Sequence, residues 1–387
     1  MIRHPFFILN ECYVLLIFYY LRKFSFFFIS SIQHLTIYSV MAKDPHETSQ
    51  RKKDHLDLCL NEEVGFKNKT NGFDKYEFIH NAVTEINFAE IDLSTKFFGS
   101  KINYPFLISC MTGGTIEAES INSKLAEAAN EIGIPIGVGS QRQALENSEH
   151  HESFKIIRKK APNVPVLGNI GASQVAGLKD VSQIQLLIDL IEADAMVIHI
   201  NPLQELIQKK GEPNFSGFLK NLEKICKKIK VPVIAKEVGA GINKSSARKL
   251  LEAGVRGIDV AGAGGTSWSG VEYLRNKDSE NQFWDWGLPT TYCIKDVKKL
   301  KKSHYFTLVA SGGINNGEEI AKAIALGADL AASARPILKE VSSNGIEGVI
   351  KIINSWFGTV KKIMYLTGAN NVDELKKIKL LRKEELY

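Results

Sequence analysis

The feature that most constrains this chain is a repetition. From about residue 101 onward a short apolar, β-rich run returns eight times, at 106–110, 135–139, 165–170, 195–200, 232–236, 257–261, 307–311 and 330–333. Between the runs lie segments such as 121–132, 181–191, 218–229, 245–253 and 317–326, whose apolar residues recur three or four positions apart, the spacing of one helix face. Strands apolar on both faces and separated by helices belong in a parallel sheet covered by those helices. Eight such units within roughly 250 residues predict an α/β fold, a closed (β/α)8 TIM barrel. An open doubly wound sheet is the alternative, since periodicity does not report closure, but polar residues at the ends of all eight runs suit a ring of loops around one mouth.

Three regions follow from this pattern. Residues 101–387 form the barrel. Residues 41–100 are an amino-terminal arm covering part of it, opening with the helical RKKDHLDLCL and ending in the extended INFAEIDLSTKFFGS. Residues 1–40 stand apart, with 26 apolar residues and four charged ones. Their longest unbroken apolar run, 12–21, is ten residues, short of the ~20 a membrane span requires. Glu11 sits where a signal peptide would carry positive charge. Met41 begins an ordinary soluble start, so the extension reads as sequence upstream of the functional start, with a membrane anchor as the alternative; membrane contact is expected only if the extension is real. Inside the barrel, the long connection 263–289 after strand six, which holds Trp268, Trp284 and Trp286, is expected to be an irregular lid.

Charge and cysteines narrow the function. The 49 Lys and Arg against 43 Asp and Glu give +6, scattered along the chain, so no nucleic-acid partner is expected. The five cysteines lie far apart with no CxxC pair, which predicts neither a zinc knuckle nor a disulfide framework and places the chain in a reducing, cytoplasmic compartment.

Catalytic groups of such barrels gather at the carboxyl ends of the strands. Strand seven runs into Ser311-Gly312-Gly313 and strand eight into Ala334-Arg335, where glycine backbone and a cation can receive a phosphate, of a substrate or of a cofactor. Strand five ends in Lys236, an ammonium whose burial needs an anionic partner such as a reduced flavin ring. Cys110, Met111 and Thr112 after strand one, Ser140, Gln141 and Arg142 after strand two, and Asn169 on strand three offer small and hydrogen-bonding groups suited to a planar heterocycle. Strand four ends His199-Ile200-Asn201 and continues Pro202-Leu203-Gln204-Glu205. A carboxylate there, beside a diphosphate site, suits Mg²⁺, which keeps most of its waters. Arg51, Lys52 and His55 of the arm, with Arg142, provide cations for a small, highly anionic substrate.

Together these motifs resemble type 2 isopentenyl-diphosphate isomerase, the flavin-dependent form. They are RKxxH at 51–55, MTGG at 111–114, GSQR at 139–142, NPLQE at 201–205, KEVG at 236–239, DVAGAGGTSW at 259–268, DWGLPT at 285–290, SGG at 311–313 and ARP at 334–336. The likeness spans residues 49 to about 370; NPLQE with AGAGGTSW is highly specific, whereas SGG and ARP are shared more widely among flavin barrels. It implies a cytoplasmic homotetramer or octamer of isoprenoid synthesis that interconverts isopentenyl and dimethylallyl diphosphate with FMN, Mg²⁺ and a reductant such as NADPH. It further implies that Cys110, Met111, Thr112, Ser140, Asn169, Lys236, Thr266, Gly312, Gly313, Ala334 and Arg335 hold FMN. Arg51, Lys52, Ser140, Gln141, Arg142, His199 and Gln204 would meet the substrate, with His55 and Asn201 in support and Glu205 on Mg²⁺. Gln204 and His199 are the expected catalytic side chains, acting with FMN as acid and base.

Three rivals are weaker. An FMN-dependent oxidoreductase of the 2-hydroxy acid oxidase type needs a histidine base late in the barrel, and after His199 the sequence has only His304, ahead of strand seven. An inosinate-type thiol dehydrogenase needs a cysteine in 263–289, which has none. A non-catalytic flavin- or phosphate-binding barrel leaves NPLQE and the basic arm without a purpose.

Overall fold

Eight parallel strands close on themselves: β1 (Phe106–Ile108), β2 (Ile136–Gly137), β3 (Val166–Gly171), β4 (Ala195–Ile200), β5 (Val233–Glu237), β6 (Gly257–Asp259), β7 (Thr307–Ala310) and β8 (Leu330–Ser333). Each pairs with its sequence neighbour, and β8 pairs with β1, which makes the ring a TIM barrel rather than an open sheet. The structure, a computed structural model, describes residues 45–276 and 282–386. The expectations about the 1–40 extension fall outside the described residues, and among those described no helix is long and apolar enough to cross a membrane.

Two apolar layers hold the ring. Outward-facing residues such as Phe106, Ile108, Met196, Ile198 and Ile258 pack under the helices. Inward-facing Leu107, Leu167, Val197, Ile234, Val309 and Leu330 fill the barrel itself, as the two-residue alternation of a strand requires. Helix ends are set by local chemistry: Asn316 caps Gly317–Leu326 by accepting from Glu319 N, and Gly327 ends it at φ 118°. The helix expected over 121–132 begins earlier, at Ile116, because Thr115 caps it through Ala118 N. Its first turn buries only Ala118, so apolar periodicity could not register it.

The arm does more than cover the mouth. Its helix (Pro45–Asn61) lies over the carboxyl ends of the strands, whereas the stretch expected to be extended folds into a hairpin, Thr95–Phe97 with Ser100–Ile102. Phe98 (φ 46°) and Gly99 (φ 92°) form its two-residue turn, the left-handed pair that matches strand twist. The hairpin buries Phe97 and Ile102 against the inward-facing layer and so plugs the amino-terminal end; each such burial contributes about 1.5–3 kcal/mol. Tyr76–Phe78 pairs antiparallel with Leu380–Arg382, so the two ends of the folded unit clasp one another. The connection after β6 also differs from the expected irregular lid, because Ser267 accepts from Gly270 N and starts a helix, Trp268–Arg275.

Candidate active site

A cavity of about 600 Å³ opens at the carboxyl ends of the strands. Cys110, Met111 and Thr112 enter it beyond β1, Ser140 and Arg142 beyond β2, Asn169 from β3, His199 from β4 and Lys236 from β5. Gly312 and Gly313 follow β7, and Ala334 and Arg335 follow β8. Register explains part of this convergence. Lys236 is opposite His199 on one side and Asp259 on the other, so the three side chains leave the ladder on one face. Arg51, Lys52 and His55 line the cavity from the arm helix; Gln204 and Glu205 reach it from the helix Pro202–Ile207, with Asn201 just ahead and Thr266 in the loop after β6.

Backbone forms one wall. A Cβ at Gly312 would lie 2.0 Å from the Gly262 carbonyl oxygen, and one at Gly313 2.4 Å from that of Gly264; both residues also have positive φ, 103° and 78°. The loops after β6 and β7 therefore touch main chain to main chain, a packing open only to glycine. The long helix that begins at Arg335 is kinked at Gly345 and points its amino terminus at this wall, a favourable position for phosphate oxygens. Arg335 lines the cavity and also ties the arm helix to the end of β8, where Nε donates to Cys59 O (2.8 Å) and Nη2 to Glu62 O (2.5 Å).

Opposite the glycines stand the cations. Lys52 Nζ donates to the carbonyls of Gly113 (2.7 Å) and Ser140 (3.1 Å). Burial, with Arg51 and Arg142 adding repulsion, pushes Lys52 down to about 7. Burial and Arg142 also lower Arg51. Arg142 is answered locally: burial alone would lower it, but two bonds to Glu212 (both 3.0 Å) and one to Glu146 (2.8 Å) raise it. Three cations share one cavity, and an entering polyanion would relieve their repulsion.

Amides and carboxylates make a third wall. Asn201 Nδ2 donates to Gln204 Oε1 (3.0 Å) and Glu205 Oε1 (3.1 Å), while Glu205 Oε2 accepts from Glu212 N (2.7 Å). Asn201 Oδ1 is buried without a hydrogen-bond partner. Gln204 Nε2 donates to Glu272 Oε1 (3.2 Å), which also meets His55 Nε2 at 2.8 Å. His199 Nδ1 lies 2.8 Å from Asn169 Oδ1, an acceptor, so Nδ1 carries the proton. Burial, then Lys236, Arg51 and Lys52, push His199 down to about 4; at neutral pH it is an uncharged imidazole and not a cationic acid. Burial raises Cys110 to about 12, which leaves it a thiol.

One expected ligand contact is corrected. Gln141 is fully buried away from the cavity, where Nε2 donates to Leu187 O (2.9 Å) and Oε1 accepts from Asn169 N (2.9 Å). It positions Asn169 instead. Glu272 was the main residue missed. Only 2% exposed, it meets His55, Gln204 and Arg275 from the connection read as irregular. Asp259, buried at the end of β6, is a second carboxylate that the motif reading leaves without a role. A carboxylate in the middle of the apolar run 257–261 is the available signal.

The sequence profile of the FMN-dependent dehydrogenase family matches residues 46–162 and 164–382. The chain is 47% identical over 350 residues to the isopentenyl-diphosphate delta-isomerase of Chlorobium limicola, covering 87% of this chain and 96% of that protein. The protein of that name from Nostoc is 44% identical over 340 residues, covering 86% and 95%. Among solved structures, a lactate oxidase from Pediococcus acidilactici superposes with a TM-score of 0.63 at 17% identity, covering 86% of this chain and 94% of that one. A mandelate oxidase gives 0.59 at 15%, covering 85% and 94%. These two share the barrel fold.

Proposed function

This chain belongs to the isopentenyl-diphosphate delta-isomerases of the FMN-dependent dehydrogenase family, and on that premise we propose how its cavity is used. The enzyme interconverts isopentenyl and dimethylallyl diphosphate in isoprenoid synthesis, moving a double bond by one carbon without net redox change. A proton must be added at one end of the alkene and another removed two carbons away, past a tertiary, cation-like centre. When bound, reduced FMN supplies a proton-exchanging nitrogen and an electron-rich face for that centre.

The residues fit this cofactor: a cavity of about 600 Å³ bounded by Gly312 and Gly313, whose backbone no Cβ could share, and lined by Lys236, whose ammonium makes one hydrogen bond, to Glu237 O. Cys110, Met111, Thr112, Ser140, Asn169, Lys236, Thr266, Gly312, Gly313, Ala334 and Arg335 are the assigned FMN contacts, with Arg335 also holding the arm helix over them. Arg51, Lys52 and Arg142 bind the diphosphate. Ser140 and the neutral His199 position the substrate's reactive end, and Gln204, tied between Asn201 and Glu272, orients the transferring proton. The observation that carries this assignment is the meeting of the cation trio with the Gln204–Glu205 pair in one cavity. An oxidase base has no counterpart: His304 precedes β7 and bonds Ser303 at the opposite end of the barrel.

We assign Mg²⁺ to Glu205, beside the unpartnered Asn201 Oδ1. Among the described residues no three His, Cys, Asp or Glu side chains cluster around a metal position. A cation here would therefore lean on phosphate oxygens and water, which suits magnesium and not zinc. Glu205→Gln is expected to raise the Mg²⁺ concentration needed for half-maximal activity, read from a magnesium titration; indifference to magnesium in both forms removes the assignment. We also place the enzyme in the cytoplasm, as a homotetramer or octamer reduced by NADPH. The free thiols of Cys59, Cys110, Cys226 and Cys293 fit a reducing compartment.

The test of the whole proposal is an anaerobic assay of purified protein with isopentenyl diphosphate, FMN, NADPH and Mg²⁺, omitting each in turn. Conversion should vanish without FMN or reductant and fall without Mg²⁺. Equal conversion without FMN would falsify it.

A further inference from the structure

At the floor of the cavity Lys236 is accompanied by a buried carboxylate. Asp259 closes β6 directly across the ladder from Lys236. It is 1% exposed. Its Oδ1 accepts from Ser311 Oγ (2.5 Å), while Oδ2 has no hydrogen-bond partner and lies 3.6 Å from Lys236 Nζ. The ammonium makes one hydrogen bond, to its neighbour's carbonyl Glu237 O (2.8 Å).

A buried ammonium held by one carbonyl is poorly compensated, and a buried carboxylate oxygen with no donor is worse. Each answers the other's charge, and the 3.6 Å gap leaves the ammonium free to point into the cavity. The other titratable groups facing Lys236 do not supply that charge. Cys110, from the end of β1, is a thiol, and His199, from β4, is uncharged at neutral pH. Glu237 points to the other face of β5, where Oε2 accepts from the four backbone N–H groups of Val238, Gly239, Ala240 and Gly241 (2.5–3.1 Å).

We propose that Asp259 is a positioning residue for the cofactor, aiming the Lys236 ammonium at the flavin so that the anionic reduced ring is favoured. This rests on the assignment of Lys236 as a flavin contact. Asp259 acts through the lysine and touches no reacting atom. The opposite role is physically reasonable and gives the opposite sign: a carboxylate acting directly on the ring would disfavour the anion, and its removal would favour it.

The experiment is a pH titration of the absorbance of the anaerobically reduced, FMN-loaded enzyme, with reduction potential as a second readout. In Asp259→Asn, which keeps the side-chain shape, the neutral reduced form should persist to higher pH by about one unit, a tenfold change in the ratio of forms, and the potential should fall. No shift, or a shift toward lower pH, overturns the proposal. A double-mutant cycle guards against a variant that does not fold, because removing both members of a buried pair is tolerated better than removing one. In a Lys236→Met background Asp259→Asn should cause no further shift; a further shift means that Asp259 acts on the ring directly and overturns the proposal. If Lys236→Met alone titrates like wild type, the assignment of Lys236 has failed. A shift in Lys236→Met with none in Asp259→Asn defeats the inference about Asp259 alone.

Discussion

Gln204→Ala is expected to lower kcat by about 10²–10⁴-fold, the range for loss of a positioned proton-transfer group, while the enzyme binds FMN nearly as well as before. The two effects separate because of where Gln204 stands. It reaches the cavity from the helix after β4, with Oε1 held by Asn201 and Nε2 donating to Glu272, away from the glycine wall of β7. Few neighbours could replace it. The uncharged His199 is engaged by Asn169 through Nδ1, and Cys110 is too weak an acid at about 12. Single-turnover kinetics on reduced enzyme, with FMN affinity measured by fluorescence, distinguish the outcomes. Unchanged turnover would remove Gln204 from proton transfer. An equal loss in FMN binding would make it a cofactor contact.

The contrast between Gln204 and Glu272 shows which parts of such a site a sequence can reveal. The barrel was readable because buried parallel strands must be apolar on both faces, which leaves unbroken runs; β4 and β8 occupy the very residues of the runs at 195–200 and 330–333. Polar residues at or one short of the carboxyl ends of those runs, Asn169, His199 and Lys236, follow from the same rule. Gln204 and Glu205 follow immediately on a strand end. Glu272 has no such marker. It meets Gln204 across 68 residues and His55 across 217, and its own helix begins at Ser267 in a connection with no strong periodicity. Gln141 failed in the other direction. The GSQR motif placed it beside the mouth, but only the packing of β2 against β3 turns its amide inward to Asn169. The hairpin that plugs the barrel was read as extended because alternation and a tight turn at Phe98-Gly99 look alike until its partner strand is known. The pairing of Tyr76–Phe78 with Leu380–Arg382 joins segments near opposite ends of the chain, beyond any local signal.

Glu272→Gln should therefore be costly in both stability and turnover. Burial alone would raise this carboxyl, but the bond to His55, Arg275 and Gln204 outweigh it and lower Glu272 below its usual 4.5. It is thus a carboxylate at neutral pH whose two oxygens serve Arg275 (2.6 Å) and His55 (2.8 Å) separately; a carboxamide keeps one acceptor oxygen, so one partner loses its acceptor and both lose the charge. Breaking a fully buried pair costs roughly 3–5 kcal/mol; Arg275 and His55 retain some solvent, so the low end or somewhat less is expected. The sign of the pH dependence follows. Because Glu272 is lowered in the folded state, its stabilisation is complete above the unfolded value of 4.5 and disappears as pH falls through the folded value. His55, lowered from 6.5 chiefly by burial, acts in the same sense, since the unfolded chain takes up that proton first. Wild type should lose stability steadily from about pH 6.5 downward, whereas Glu272→Gln begins lower at neutral pH and lacks the steep segment below 4.5. Urea midpoints measured across that range read both effects. Turnover supplies the second readout: Gln204 would lose its charged acceptor, so kcat should fall in Glu272→Gln with little change in FMN affinity. Coincident midpoints for the two proteins at every pH, with normal turnover, would mean that Glu272 neither holds the arm nor orients Gln204.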